Sequence, residues 1–382
     1  MRRFPPRTAQ LERLLSLDAA GRLGQSYLFV GPDGSGKEAT ALELARLLNC
    51  RDPQRCREAA ACESCQKTLT FQHPDVRWLC PAPASLTESQ AATLLAAKAE
   101  DPFWRPEYAR SAEVLVGQPD SPGPLTVRSL LHFLQLRPYQ GRRKVAVVDQ
   151  AQRLRAGAAN ALLKMLEEPP ADALLILLAS SREAVLPTIL SRCAQVRFAP
   201  YPEAELAAAL AEVYGLDPAA ARDLARRGDG DVRRAAELRH PEAQAVAAWG
   251  ERLLADLARG DLAAGLVAAE QLHKGRLPDD VAEAAGVPSG RRQVRDLLPR
   301  RRRALMLCET LQRGYRERLH RTLAAGGEDA AGAAGPLVRA IARVEAARAD
   351  LQGNVNIGLA MAVLFQELIA YAGEERTARP LS

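Results

Sequence analysis

A strand-like run that breaks into glycines and restarts as a helix is what most narrows the fold of this sequence. "SYLFVGPDGSGKEATALELARLLNC" passes from a short β-rich stretch through Gly31, Gly34 and Gly36 to apolar residues at Leu42, Ala45 and Leu48, spaced for one helical face. Gly31, four residues, then Gly36 and Lys37 fit the phosphate-loop signature up to its last position, where Glu38 replaces the hydroxyl that would hold magnesium. Glycines let successive backbone N–H groups turn inward, the helix that follows offers its positive end, and Lys37 can reach the outer phosphates. A carboxylate at position 38 opposes occupancy. At about 4 Å from a phosphate oxygen it is repelled by roughly 4 kcal/mol per charge pair at an effective dielectric of about 20, unless a magnesium ion lies between them. The sequence leaves open whether the loop takes ATP or ADP.

The second half of such a site is a buried strand ending in acid, here "KVAVVDQ" at 144–150. Asp149 is placed to hold magnesium through water, but Gln150 stands where hydrolytic enzymes of this kind often carry Glu. An amide cannot take the attacking water's proton. With Glu38 and Gln150 together, this chain is expected to have no ATPase activity of its own.

Further apolar runs at 75–81, 173–180 and 195–198 read as buried strands separated by helical text, which predicts a parallel, doubly wound sheet. Residues 83–124 loosen into a surface insertion with one helix, begun by the capping pair Thr87 and Gln90 and closed by "QPDSPGP", and 83–112 is a stretch with no assigned role. Pro200 and Pro202 mark a boundary, after which everything is helical to about residue 372. Within that stretch "AAGGEDAAGAAG" reads as a flexible connection and "GEERTARPLS" as a frayed tail. At 382 residues the chain exceeds one ordinary core, so two or three domains are expected. The charged residues of "MRRFPPRTAQLERLL" exclude an apolar signal centre there, and no uncharged apolar run is long enough to span a bilayer. A cytoplasmic protein with no membrane partner is expected.

Seven cysteines include Cys50, Cys56, Cys62 and Cys65, spaced C-x5-C-x5-C-x2-C within a polar segment. Four soft ligands closing on the tight "CESC" turn suit a tetrahedral zinc ion, and with all four positions filled the site is structural. His73, in "HPD", reads as a strand-entry turn and is left out of the ligand set. Cys80, Cys193 and Cys308 read as isolated buried residues.

"LRPYQGRRKVAVVD", "ANALLKMLEEPP" and "LLILLASSREAVLPTILSRC", together with the cysteine cluster after the phosphate-loop helix, resemble a bacterial DNA polymerase III clamp loader subunit over most of residues 8–240. Two subunits of that assembly share the layout, the ATP-hydrolysing gamma/tau and delta-prime. Loss of the hydroxyl at 38 and of the acid at 150, and "NVNIGLAMAVLFQEL" near the C-terminus, are similar to delta-prime. The resemblance implies an α/β phosphate-loop (AAA+) parallel sheet domain with an inserted zinc module at 50–65, spanning 1–200, then a helical lid at 201–240 and an all-α collar domain at 241–382. It implies partners too: gamma/tau and delta subunits in a hetero-pentamer, a sliding clamp, and primed DNA reached through the assembled complex.

Residue by residue, the "SRC" triplet Ser191, Arg192 and Cys193 matches the motif whose arginine reaches ATP in the neighbouring subunit, so Arg192 would act as an arginine finger in trans. Arg233 falls at the lid position that senses nucleotide, and Ser180 or Ser181 at the sensor position of the fourth strand. The usual zinc spacing of the family is C-x8-C-x2-C-x2-C, so the first two ligands here are displaced. The alternative reading is an active gamma/tau-type ATPase. A nucleic-acid-binding module is a third, prompted by the basic run "GRRQVRDLLPRRRRA" at 290–304, a charge pattern that is usually a solvated face.

Overall fold

Five short apolar runs form one parallel sheet: β1 (Ser26–Val30), β2 (Val76–Leu79), β3 (Lys144–Val148), β4 (Ala173–Ala179) and β5 (Ala194–Arg197), in spatial order β2-β3-β4-β1-β5. The computed structural model describes residues 4–59, 62–100, 112–284, 286, 300–325, 329–353 and 355–377. β3 and β4 are buried from end to end, which is why they read as continuous apolar text rather than alternation. Register aligns the carboxyl ends of the central strands: Val30 pairs with Ala179 and with Arg197, and Val148 with Leu79 and Leu177. The loops that leave β1 and β3 therefore open on the same end of the sheet, where ligands of open α/β sheets bind.

The chain divides into two compact units, Met1–Ala236 and Glu237–Ser382. In the first, the strands alternate with α1 (Thr8–Ala19), α2 (Lys37–Leu48), α3 (Pro53–Ala59), α4 (Glu63–Leu69), α5 (Glu88–Glu100), α6 (Val127–Gln135), α7 (Ala156–Glu167) and α8 (Pro187–Leu190). The three short helices α9 (Glu203–Tyr214), α10 (Pro218–Gly228) and α11 (Val232–Glu237) follow. Asp217 caps α10 by accepting from the N–H groups of Ala219 and Ala220, with Pro218 at the first helical position.

Helix α5 begins on the expected capping box. Gln90 Oε1 accepts from the Thr87 N–H at 3.0 Å, and Thr87 Oγ1 accepts from the Gln90 N–H at 3.3 Å. The surrounding segment is more than a surface insertion, however. Ala91 and Leu94 sit in the core against the sheet, because the apolar residues of α5 share one face. Residues 101–111 of the insertion lie outside the described residues.

The described elements of the second unit are all helices: α12 (Pro241–Arg259), α13 (Leu262–Lys274), α14 (Asp279–Ala284), α15 (Arg300–Ala325), α16 (Asp329–Gln352) and α17 (Ile357–Thr377). Its core joins Trp249, Leu253, Leu307, Leu311, Val344 and Phe365. Two expectations need correction here. The stretch read as a flexible connection is helical from Asp329 on, because its alanines favour helix and Ala333 is buried in this unit; residues 326–328 lie outside the described residues. The first half of the stretch read as a frayed tail stays helical to Thr377, held by Glu375, whose carboxylate accepts from Arg318 Nη2 at 2.6 Å; residues 378–382 lie outside the described residues. Among the described residues α17 is long and apolar enough to cross a membrane, yet Met361, Leu364, Phe365 and Leu368 lie in this core.

Candidate functional site

The phosphate loop takes the turn its glycines predict. Gly34 and Gly36 sit at φ 71° and 87°, where residues with a Cβ are strained. Gly31 is glycine for another reason: a Cβ there would lie 2.1 Å from the Phe198 carbonyl oxygen, since β5 runs close beside it. The loop is also covered from above. The Val232 N–H donates to Gly34 O at 3.2 Å, and a Cβ on Gly34 would meet Asp231 Oδ1 at 1.8 Å. A Cβ on Gly36 would meet the Tyr201 hydroxyl at 2.4 Å; that hydroxyl donates to Pro5 O, and the Arg7 guanidinium stacks 4.5 Å from the Tyr201 ring.

Lys37 is buried and turned back on its own loop, where its ammonium donates to Gly31 O, to Pro32 O at 2.7 Å and to Ser35 Oγ at 3.4 Å. Burial pulls its pKa below the ordinary lysine value, against the opposing pull of Asp33 and Glu38. Asp149 is buried just beyond β3, with its N–H on Leu79 O at 2.7 Å. Gln150 follows in a left-handed conformation, φ 54° and ψ 53°. Arg233 pairs with Asp33 at 3.2 Å. Burial works against its charge, but Asp33 and Asp231 outweigh that and hold its pKa above the ordinary arginine value. Arg233 and the phosphate loop are thus brought together.

One residue of this site escaped the sequence reading. Lys98, in the last turn of α5, places Nζ 2.7 Å from Glu38 Oε2 and 3.9 Å from Asp149 Oδ2. It lies 60 positions from Glu38, in a stretch assigned no role, so no local pattern marked it.

Arg192 lies apart from these groups, exposed just after α8. Its Nη2 and Nε donate to Glu167 Oε1 at 2.6 and 3.0 Å, and Nη1 donates to Thr188 O at 3.0 Å. Ser180 and Ser181 follow the end of β4.

The four cysteines converge. The sulfurs of Cys50, Cys56, Cys62 and Cys65 lie within 4.8 Å of one another, with Cys50 and Cys62 at 3.9 Å. A tetrahedral zinc ion with Zn–S of about 2.3 Å needs sulfurs about 3.8 Å apart, so the donor set fits such an ion. When bound, the ion would tie the turn before α3 to the start of α4. Cys62 also caps α4, its sulfur accepting from the Cys65 N–H. Burial pushes the Cys62 thiol up, but the N–H groups of Cys65 and Arg51 outweigh it and bring it down to about 6, whereas burial raises the thiols of Cys50 and Cys65. His73 is held elsewhere. Its Nδ1 accepts from the Asp75 N–H at 3.0 Å, which leaves Nε2 to donate to Ser64 Oγ at 3.0 Å. Cys80, Cys193 and Cys308 are buried, as expected.

The basic run is only partly described, residues 287–299 lying outside. The arginines that are described bond within their own unit: Arg300 to His273 O, Arg301 to Gly353 O, Arg302 to Glu309 and Arg303 to Glu242.

Known proteins resemble this chain over part of its length. The chain is 34% identical over 170 residues to DNA polymerase III subunit delta' of Pseudomonas aeruginosa, covering 44% of this chain and 42% of that one. To subunit delta' of Escherichia coli it is 31% identical over 203 residues, 53% of this chain and 51% of that one. A gamma/tau subunit of Mycobacterium bovis matches at 32% over 199 residues, covering 52% of this chain and 28% of that one. The matches thus span about half or less of the length of these relatives. The model of the family described as "DNA polymerase III, delta subunit" matches residues 7–202, more than half of the chain. On that match, this chain belongs to the DNA polymerase III delta subunit family.

Proposed function

We propose that this protein is a non-hydrolysing clamp loader subunit of DNA polymerase III, acting in the cytoplasm as the delta-prime member of a hetero-pentamer with gamma/tau and delta subunits. Its sheet domain, three-helix lid and helical collar would assemble beside ATP-bound neighbours to help place a sliding clamp on primed DNA. The observation that carries this reading is that the charged side chains at the phosphate loop are engaged within this chain. Lys37 is bonded to its own loop, Glu38 to Lys98 and Arg233 to Asp33, while Arg192 stays exposed.

Arg192 is then the residue of use to a neighbour. A planar cation placed on a transferring phosphate is worth about 10³ to 10⁵ in rate in related NTPases, so a subunit without turnover can still be needed for turnover next door. The contact with Glu167 supports this role, since it stores the guanidinium at the surface in an exchangeable ion pair. Four thiolates holding zinc supply a structural clip, with no chemistry of their own.

The test is reconstitution. The chain is mixed with gamma/tau-type and delta partners, and ATP turnover is compared between wild type and Arg192→Ala while size-exclusion chromatography follows assembly. Turnover is expected to fall, with the complex intact. Unchanged turnover in the variant, or turnover near about one per second by the chain alone with Mg-ATP, overturns the proposal. The second outcome would favour the gamma/tau-type ATPase, the alternative that the sequence left open and to which the mycobacterial relative is similar.

A further inference from the structure

In a working phosphate-loop enzyme the magnesium ion is held by the hydroxyl at the end of the glycine motif and by the acid after the neighbouring strand. Those two positions are Glu38 and Asp149 in this chain, and an amino group stands between them. Lys98 Nζ is 2.7 Å from the first carboxylate and 3.9 Å from the second. The lysine is built into place: its side chain is 6% exposed. The ring of Trp78, on β2, lies 5.3 Å from the ammonium. The stem rises from α5, which Ala91 and Leu94 anchor in the sheet core.

Magnesium demands about six oxygen ligands at about 2.0–2.1 Å in near-octahedral order. It cannot take Glu38 and Asp149 as ligands while an ammonium is bonded to one of them and faces the other. The residues present therefore do not fit the ion that the fold would call for. We propose that Lys98 is a built-in cation in the place of that divalent metal, and that it bars a metal-bound triphosphate from the phosphate loop.

Glu38 and Lys98 then explain each other. The carboxylate that breaks the motif is the partner the lysine requires. A triphosphate entering the loop would have to separate this pair as well as lift Lys37 from the carbonyls of Gly31 and Pro32. The inference rests on the reading of this chain as a non-hydrolysing subunit and names the residue responsible.

The experiment uses Mn²⁺ alone as the probe, titrated into the full chain and followed by the electron paramagnetic resonance of the free ion. Lys98→Met keeps the stem and removes the charge, so Mn²⁺ affinity should rise by at least about tenfold over wild type. Lys98→Arg should stay at the wild-type value, and adding Glu38→Gln to Lys98→Met should abolish the gain. Equal affinity in wild type and Lys98→Met overturns the proposal. Should circular dichroism show that Lys98→Met does not fold, Lys98→Gln carries the same expectation. A measurement on the wild type stands beside both: Mn²⁺ quenching of a fluorescence component that Trp78→Phe removes would place the metal next to Lys98 and also overturn it. These titrations contain no nucleotide. ATP turnover by the wild type would refute the non-hydrolysing reading, whereas an unchanged Mn²⁺ affinity would refute the role of Lys98.

Discussion

The guanidinium of Arg46 donates to the sulfur of Cys65 at 3.1 Å, with 2% of the arginine side chain exposed. The same Nη1 donates to Cys56 O at 2.7 Å, and the other edge of the guanidinium holds Glu43. Arg46 lies on α2, so the helix that starts at the phosphate loop ends by bracing the cysteine cluster.

Zinc with four thiolates carries a net charge of −2, and a buried cation bonded to one sulfur offsets part of it. Arg46→Met should lower zinc affinity by about 10- to 100-fold, the usual cost of losing an outer hydrogen bond to a ligand. Competition against a chromophoric chelator measures this. Unaltered affinity would show that Arg46 only fills space.

Asp75 predicts acid sensitivity. Its buried carboxylate accepts from Lys144 Nζ at 2.9 Å and from the N–H groups of Tyr139, Gln140 and Gly141 at 2.7, 2.6 and 2.6 Å. Burial alone would raise its pKa, but these four donors outweigh it and hold it at about 2, below the ordinary 3.8. A depressed folded pKa stabilises the fold fully above the unfolded value and loses that contribution as pH falls through the folded one. Asp75 should thus contribute about 2 kcal/mol at neutral pH, lost between about pH 4 and 2. Urea unfolding of wild type and Asp75→Asn should differ at pH 7 and converge near pH 2; a gap independent of pH would refute the assignment.

Gly31→Ala tests whether the first motif glycine serves backbone freedom or packing. Its φ is not positive, and the added Cβ would press on the Phe198 carbonyl. Overpacking of this kind costs about 1–3 kcal/mol or more, so the urea midpoint should drop although φ at this position does not call for glycine. No change in midpoint would mean that β5 shifts freely.

Arg303 and Glu242 form a buried pair at 2.7 Å in the second unit, with side-chain exposures of 4% and 10%. Arg303→Ala should cost about 3–5 kcal/mol, and Arg303→Met with Glu242→Leu should recover most of it, since removing both charges also removes their desolvation. Thermal melts of the two variants decide it.

Much of the first unit was legible because its signals are local. The five strands, the glycine loop, the Thr87–Gln90 cap and the cysteine cluster each occupy a short window in which periodicity, capping or spacing is sufficient. The contacts that define the site's chemistry are not local. Lys98 meets Glu38 across 60 positions, and Asp231 reaches Gly34 across most of the unit, so neither appears in any window. The arginines at 300–303 look like a polyanion-binding face in one dimension because most of their partners, such as Glu242, His273 and Gly353, lie far from them along the chain. Asp329 to Gly335 misled in the opposite direction, its glycines suggesting a linker where alanines and tertiary packing make a helix.

The pairing of Glu38 with Lys98 also bears on ancestry. Placing a hydroxyl at residue 38 strips a mostly buried ammonium of its nearest carboxylate, while losing the lysine first removes a cation that both acids face. Either single step passes through a less stable protein, so a lineage that has acquired both residues is held by a ratchet that only a concerted double change releases.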